Sequence, residues 1–213
     1  MSPKRPAGTC WVRDYARDTT LSRVLNATVR NLAGVPAIVY GLLGLAIFVL
    51  ALDGLTGGRS VIAGGLTMAA LVMPIVVITT AEALRAVPRS IREAAYGVGA
   101  TKWEVIRHHV LPYAAPGVFT GSILTLSRAF GETAPLVLAG GVLGGFATRP
   151  GIGVVETLQG PYTALPLIVF TWAKQPADRF GASTAAAIIV LLAIIVLLNA
   201  TAIILRNRFE RRW

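Results

Sequence analysis

Charged residues are scarce in this sequence, and three long stretches have none. They make up 14% of the chain, against 54% for hydrophobic residues. No Asp, Glu, Lys or Arg occurs in residues 31–52, 60–81 or 180–205. Each stretch is long enough for the ~20 apolar residues that a spanning helix needs. A soluble protein of this size could not cover that many apolar helices, so the composition indicates a membrane protein.

Cysteine and histidine are nearly absent. Cys10 is the single cysteine, which excludes a disulfide within the chain and a cysteine metal site. His108 and His109 are the two histidines, and no second group of metal ligands adjoins them. The nucleotide-binding pattern Gly-x-x-x-x-Gly-Lys-Ser/Thr does not occur. We therefore expect no metal, no cofactor and no catalytic residue, so that any ATP hydrolysis belongs to a partner.

The apolar runs predict an all-α membrane protein with four spanning helices. A fourth run joins the three uncharged ones, and it is interrupted by Arg128 and Glu132. The predicted spans are residues 32–52, 61–84, 112–139 and 181–205. Three of the prolines inside them predict kinks, which are tolerated because neighbouring helices can satisfy the freed carbonyls; these three are Pro36, Pro74 and Pro135. The chain then divides into an N-terminal segment (1–31), a membrane domain (32–205) and a basic tail (206–213).

The basic residues predict how the chain lies in the membrane. Fifteen of the twenty fall in residues 1–31, 85–113 and 206–213. Four crossings put these segments on one side, which is the positive-inside pattern. We therefore expect a multi-pass membrane protein with both termini cytoplasmic. The net charge of +10 is explained by the topology of the chain in the membrane and not by binding to nucleic acid.

A polar segment at residues 88–112, which we name the motif segment, interrupts the apolar runs. It contains two capping boxes and a glycine break, namely Ser90 with Glu93, Thr101 with Glu104, and Gly97 with Gly99 between them. This pattern predicts two short helices joined by a turn, which would form a rigid handle outside the bilayer. The pattern alone fits an amphipathic helix resting on lipid headgroups equally well.

The motif segment resembles the EAA motif of binding-protein-dependent ABC importers. The matching residues are Glu93, Ala94, Ala95, Gly99, Leu111 and Pro112. His109 departs from the pattern, because the family favours an aliphatic residue there. The resemblance implies the MetI-like all-helical fold and a coupling helix that docks in a groove of an ABC ATPase subunit. Small alanines and a glycine turn suit such close contact, with Arg92 and Lys102 pairing across the interface.

Other stretches are similar to one group of these importers. Residues 31–41 and 126–136 resemble the permease subunits of the phosphate ABC importer, and residues 165–173 resemble the outward loop of its PstA-type permease. The likeness runs from about Trp11 to the C-terminus and covers the last four of the usual six spans, so we expect the first two to be missing. It implies ABC ATPase subunits, a second, PstC-like permease subunit, an external phosphate-binding protein and inorganic phosphate as partners.

Arg128 and Glu132 are the candidates for a substrate pathway. They lie four residues apart in a predicted span and therefore share a helix face. A charge near the bilayer centre costs about 2.5–3.5 kcal/mol on insertion scales, so such residues line a pathway or form a pair. The planar fork of arginine suits phosphate oxygens, and a structural salt bridge is the alternative. Three outward residues could steer an anion or be ordinary solvated charge: Arg149, Lys174 and Arg179.

With this resemblance, the sequence predicts a permease subunit of an ATP-driven phosphate importer. The subunit would form part of the translocation pathway and couple to the ATPase through the motif segment. Two alternatives stay open. One is a permease for another oxyanion, such as sulfate or molybdate, and the other is a truncated, non-transporting membrane scaffold.

Overall fold

The computed structural model describes residues 20–142, 153–176 and 179–209, except the side chains of residues 21–23, 179 and 209. Every regular element in these ranges is a helix, which confirms the predicted all-α class. The helices are α1 (Thr20–Ala33), α2 (Ala37–Gly44, continued as a π-helix over Leu45–Ala51), α3 (Asp53–Thr56), α4 (Val61–Arg85), α5 (Arg89–Gly97), α6 (Lys102–Glu104), α7 (Leu111–Gly131), α8 (Ala134–Leu138), α9 (Val154–Leu158), α10 (Leu165–Trp172) and α11 (Arg179–Phe209). A π-helix over Val105–Val110 joins α6 to α7.

Three helices in the described ranges are long and apolar enough to cross a membrane. They are Val61–Arg85, Lys102–Gly131 and Phe180–Arg208. A fourth candidate is a bent pair, Val24–Ala33 followed by Ala37–Ala51, with 99° between the two axes. The second and fourth predicted spans therefore match α4 and α11 closely, whereas the first and third differ in their ends.

The first predicted span, 32–52, is divided by a sharp bend. Pro36 stands immediately before α2 with φ −56° and ψ 139°. The residue before a proline is pushed out of the helical region, so α1 cannot run on into α2. The Tyr40 hydroxyl donates a hydrogen bond to the Leu32 carbonyl oxygen across the bend, at 2.9 Å. The proline that was predicted to kink one span instead separates two helices.

The third predicted span, 112–139, is shifted towards the motif segment. Its helix begins at Lys102 and ends at Gly131. Glu132 is extended, with φ −81° and ψ 120°, and α8 begins at Ala134 with Pro135 in its first turn. Pro135 thus starts a new helix and does not kink the old one, because its ring is incompatible with the turn before it. Pro74, by contrast, lies inside the unbroken α4.

Small residues bring α4 and α7 close together. A methyl group at Gly117 would lie 3.0 Å from Cβ of Ala83, and one at Gly121 would lie 2.8 Å from Cβ of Thr79. The residues are four apart on each helix, which is the small-xxx-small pattern of membrane helix pairs. Sequence reasoning did not single out this pattern, although the spacing is visible in the sequence.

The same device holds α2 against its neighbours. Gly44 lies against Thr67 of α4 so closely that a methyl group at position 44 would overlap the threonine side chain. A methyl group at Gly41 would lie 2.8 Å from Cα of Pro135 in α8. The helix that follows Pro36 is therefore packed between α4 and α8, while α11 packs on α7 and α10.

Two adjacent glycines of α4 provide a matched test of this packing. A methyl group at Gly64 would lie 2.5 Å from the ring of Tyr162, whose hydroxyl is tied to the Leu136 carbonyl, whereas nothing lies within 4 Å of one at Gly65. We expect Gly64→Ala to lower stability by about 1–3 kcal/mol through overpacking. Gly65→Ala should raise it by up to about 1 kcal/mol, since alanine favours helix. Thermal unfolding in detergent measures both, and equal midpoints would contradict the packing.

Candidate functional site

The motif segment folds as a helix, a glycine turn and the start of the long helix 102–131. Gly99 has φ +84°, a left-handed conformation that favours glycine, as the predicted turn requires. Thr101 then caps the next helix. Its hydroxyl oxygen accepts from the Glu104 backbone N–H at 3.4 Å, and its own N–H donates to the Glu104 carboxylate at 2.8 Å. This confirms the second predicted capping box.

The first predicted capping box is wrong. α5 begins at Arg89, and Pro88 occupies the cap position without a side-chain hydrogen bond. Ser90 is therefore the second residue of the helix and does not cap it together with Glu93. The cause is Pro88, whose fixed φ of −56° leads the chain into the helix one residue early.

The two alanines of the motif differ in burial. Ala95 is 5% exposed and belongs to an apolar cluster at the base of the long helix, with Val87, Val105, Val110 and Ala114. Glu93 and Ala94 are exposed. Ala95 therefore supports α5 from within the chain, and the outer face of the motif begins with Glu93 and Ala94.

Arg92 is engaged inside the chain. Its guanidinium donates a hydrogen bond to the Leu84 carbonyl oxygen, at 2.8 Å, in the last turn of α4. A cation at this position satisfies one of the open carbonyls at a helix C-terminus. Within this chain Arg92 thus binds α5 to α4, and its pairing across an interface stays a prediction. Lys102, the other residue in that expectation, is exposed at the start of α6.

Two exposed apolar side chains extend the outer face of the motif. Val98 is 85% exposed and Trp103 is 63% exposed, on either side of the Gly99 turn. Sequence reasoning did not assign them to the site; the signal was an apolar residue on each side of a glycine in a polar segment. Exposed aromatic and apolar groups of this kind are typical of protein contact surfaces. Leu111 and Pro112 lie elsewhere, exposed in the first turn of α7.

Arg128 and Glu132 are in contact at the end of α7. Arg128 Nε lies 3.6 Å from Glu132 Oε1, and the two side chains are 70% and 24% exposed. The sequence had indicated a pair on one turn of a continuous helix. Because α7 ends at Gly131, the pair instead bridges a helix end. Most of the arginine side chain is left uncovered by the described part of the chain.

Two grooves meet along α7. The smaller, of about 500 Å³, contains the Arg128–Glu132 pair and is completed by Ser127 and by Asn199 of α11. The Ser127 hydroxyl is buried there without a hydrogen-bond partner among the described residues. The larger groove, of about 1580 Å³, extends along α4, α5 and the long helix as far as Arg206. Leu124 lines both grooves, so they are adjacent.

Comparison with known proteins identifies the chain. Residues 9–213 match the family described as the binding-protein-dependent transport system inner membrane component. The chain belongs to this family. It is 35% identical over 194 residues to phosphate transport system permease protein PstA 1 of Mycobacterium tuberculosis (strain CDC 1551 / Oshkosh), over 90% of this chain and 60% of that relative. It is 33% identical over 205 residues to PstA of Xylella fastidiosa (strain Temecula1 / ATCC 700964), over 95% of this chain and 67% of that relative.

A solved structure shows the same fold. Inward-facing MetNI methionine ABC transporter has a chain that matches with a TM-score of 0.66 at 17% identity, over 90% of this chain and 77% of that one. This confirms the MetI-like all-helical fold of the inner membrane component. The chain spans about 60% of the length of the mycobacterial relative.

Two side-chain hydrogen bonds link distant parts of the chain at the end opposite the motif segment. The Gln159 side chain donates to the Leu55 carbonyl oxygen at 3.2 Å, which joins the end of α9 to α3. The Tyr162 hydroxyl donates to the Leu136 carbonyl oxygen at 3.1 Å. Burial raises the pKa of Tyr162 to about 12, so this donor keeps its proton at neutral pH.

The outward basic residues are only partly described. Lys174 Nζ lies 4.0 Å from the centroid of the Phe170 ring, which is a cation–π contact. Arg149 and the side chain of Arg179 lie outside the described residues. In the ranges that the structure covers, no three His, Cys, Asp or Glu side chains gather as metal ligands.

Proposed function

We propose that this chain is the permease subunit of an ATP-driven phosphate importer in the bacterial plasma membrane. The substrate is suggested by the relatives, which are named as phosphate transport permeases. The observation that carries the proposal is the exposed Arg128 guanidinium held beside Glu132 where a spanning helix breaks. The subunit would assemble with a second, PstC-like permease subunit, ABC ATPase subunits and an external phosphate-binding protein.

The groove along α7 supports a route for the anion. Tyr113, Gly117, Gly121 and Leu124 line it at steps of three or four residues and therefore share one helix face. Arg128 follows Leu124 by four residues on that face. An anion released from Arg128 thus meets a continuous groove that leads towards the motif segment. Since most of Arg128 is exposed, a second permease subunit would supply the opposite wall.

Arg128 is suited to exchange its partner Glu132 for an anion. An ion pair between partly exposed groups contributes only about 0–1 kcal/mol. A phosphate can offer the arginine two parallel charge-assisted hydrogen bonds, which are stronger. Glu132 would hold the guanidinium in place while the site is empty, and it would repel the anion once the two share the site.

The outer face of the motif segment would receive the ATPase. A groove of the ATPase could enclose four exposed residues of this face, namely Glu93, Ala94, Val98 and Trp103. Inside the chain, Ala95 and Arg92 fix α5 to the long helix and to α4. A displacement of α5 by the ATPase would therefore move both helices together.

The orientation in the membrane can be tested by cysteine labelling. In a Cys10→Ser background, a membrane-impermeant thiol reagent added from outside should label Gly54→Cys and Gln175→Cys but not Val98→Cys. Positions 54 and 98 carry no packing restriction, because Gly54 has nothing within 4 Å of an added Cβ and Val98 is 85% exposed. Labelling at position 98 from intact cells would reverse the proposed orientation.

The coupling role can be tested at two glycines that differ in backbone conformation. Gly99 is left-handed and Gly97 is helical, and neither has an atom within 4 Å of an added Cβ. We expect Gly99→Val to distort the turn, because a left-handed L-residue costs roughly 1–2 kcal/mol, and to reduce ATPase binding and stimulation without loss of insertion. Gly97→Ala is the control and should couple normally. Equal ATPase stimulation by both variants would favour a lipid-surface role for the segment.

The substrate role can be tested with Arg128 and Glu132. Uptake of labelled phosphate would be measured in cells that express the chain with its ATPase, second permease and binding protein. We expect Arg128→Gln to reduce uptake at least about tenfold at unchanged abundance, since it removes the charge and the fork. Arg128→Lys should restore uptake only in part, because an ammonium cannot bind in a bidentate manner.

Glu132→Gln distinguishes the pathway role from a structural one. A role in anion exchange predicts reduced uptake with normal abundance. A structural pair predicts that both Arg128→Gln and Glu132→Gln lower abundance together. Uptake at the unsubstituted level in Arg128→Gln would remove the residue from the pathway.

A further inference from the structure

α1 has an apolar face that the other described residues of the chain leave uncovered. Val24, Leu25 and Leu32 are 55%, 55% and 41% exposed. At the 3.6-residue period of a helix they lie on one face, and Arg30 lies on the opposite face. We propose that α1 is an interfacial helix, which lies in the surface of an anionic lipid bilayer with this face in the acyl-chain region and is not part of a span.

The direction of α1 supports this placement. Its axis makes an angle of 99° with that of α2 and its π-helical continuation. Where α2 runs along the membrane normal, a helix perpendicular to it lies in the membrane plane. The arrangement is held by the buried Tyr40, whose hydroxyl bonds the Leu32 carbonyl oxygen, and by the turn in which Gly34 N–H donates to the Asn31 carbonyl oxygen at 3.1 Å.

The length of α2 supports a position of α1 just below the lipid headgroups. The helix and its π-helical continuation have 8 and 7 residues, which gives at most about 22 Å at the α-helical rise. The hydrocarbon core is about 30 Å thick. A helix at the start of α2 therefore lies several ångströms below the headgroups. Amphipathic interfacial helices occupy this boundary, with the apolar face about 5–10 Å deep.

The charge of α1 indicates that its apolar face is covered by an anionic lipid surface. The sequence has arginine at positions 23 and 30, and no acidic residue between Asp18 and Asp53. Basic residues opposite an apolar face are attracted to anionic headgroups while the apolar face enters the bilayer. The inference rests on membrane residence and does not depend on phosphate as the substrate, so either can fail without the other.

Spin-label accessibility in the full chain tests the proposal. Single cysteines would be introduced at Val24, Leu25, Ala27, Arg30 and Leu32 in the Cys10→Ser background, and the labelled chain placed in phosphatidylglycerol-containing vesicles. Collision with oxygen reports lipid, and collision with a water-soluble nickel chelate reports water. Met73 of α4, which is 68% exposed, and Val98, which is 85% exposed, serve as the lipid and water references.

The proposal predicts a helical alternation of the two signals. Positions 24, 25 and 32 should favour oxygen at a common shallow depth, above that of position 73, and positions 27 and 30 should favour nickel. Three results would overturn it: a steady increase in depth from position 24 to 32, which indicates a span; protection of positions 24, 25 and 32 from both reagents, which indicates a protein partner; and water exposure at all five.

The lipid class is tested with the label at position 25. In vesicles of phosphatidylcholine alone, the ratio of oxygen to nickel collision at this position should fall relative to phosphatidylglycerol vesicles. Arg30→Gln should remove part of that difference, and Arg208→Gln, at the end of α11, should not. An equal ratio in both lipids would overturn the anionic-lipid part of the proposal.

Discussion

The close approach of α4 and α7 is the contact on which the rest of the structure depends. Apolar helices gain little by leaving lipid, so tight backbone packing must hold them together. Gly117 and Gly121 provide it against Ala83 and Thr79. The same four residues line the larger groove, so one set of small side chains both joins the helices and leaves space beside them. A larger residue at the seam would fill the groove and separate the helices at once.

The spans could be predicted because apolar length is fixed by bilayer thickness, but the breaks could not. α4 and α11 match the predicted spans closely, whereas prolines gave three different outcomes. Pro74 is accommodated within α4, Pro36 separates α1 from α2, and Pro135 begins α8 after an extended Glu132. A proline forbids one hydrogen bond and one local conformation. Whether the chain bends or starts a new helix is decided by its neighbours, such as Gly41 against Pro135.

The candidate site likewise has features that the sequence predicts and features that only the folded chain shows. Local chemistry identified the Gly99 turn, the Thr101–Glu104 cap and the proximity of Arg128 to Glu132, since each depends on residues within four positions of each other. The inner role of Ala95 and the bond of Arg92 to α4 depend on residues that only the folded chain brings together. A short motif therefore indicates that a segment is functional without showing which of its side chains face outward.

The long helix Lys102–Gly131 connects the two halves of the proposed mechanism. Its 30 residues form one continuous element, so a displacement at the motif segment reaches Arg128 without passing through a loop. The hydrogen-bond ladder is irregular at the π-helix Val105–Val110, ahead of Pro112. Arg128 lies within the helix, but Glu132 lies beyond its end and is followed by α8, which Gly41 contacts. Under the proposed mechanism, a tilt of the helix would change the distance between the two charges, and a movement imposed by an ATPase would thereby free the arginine for the anion.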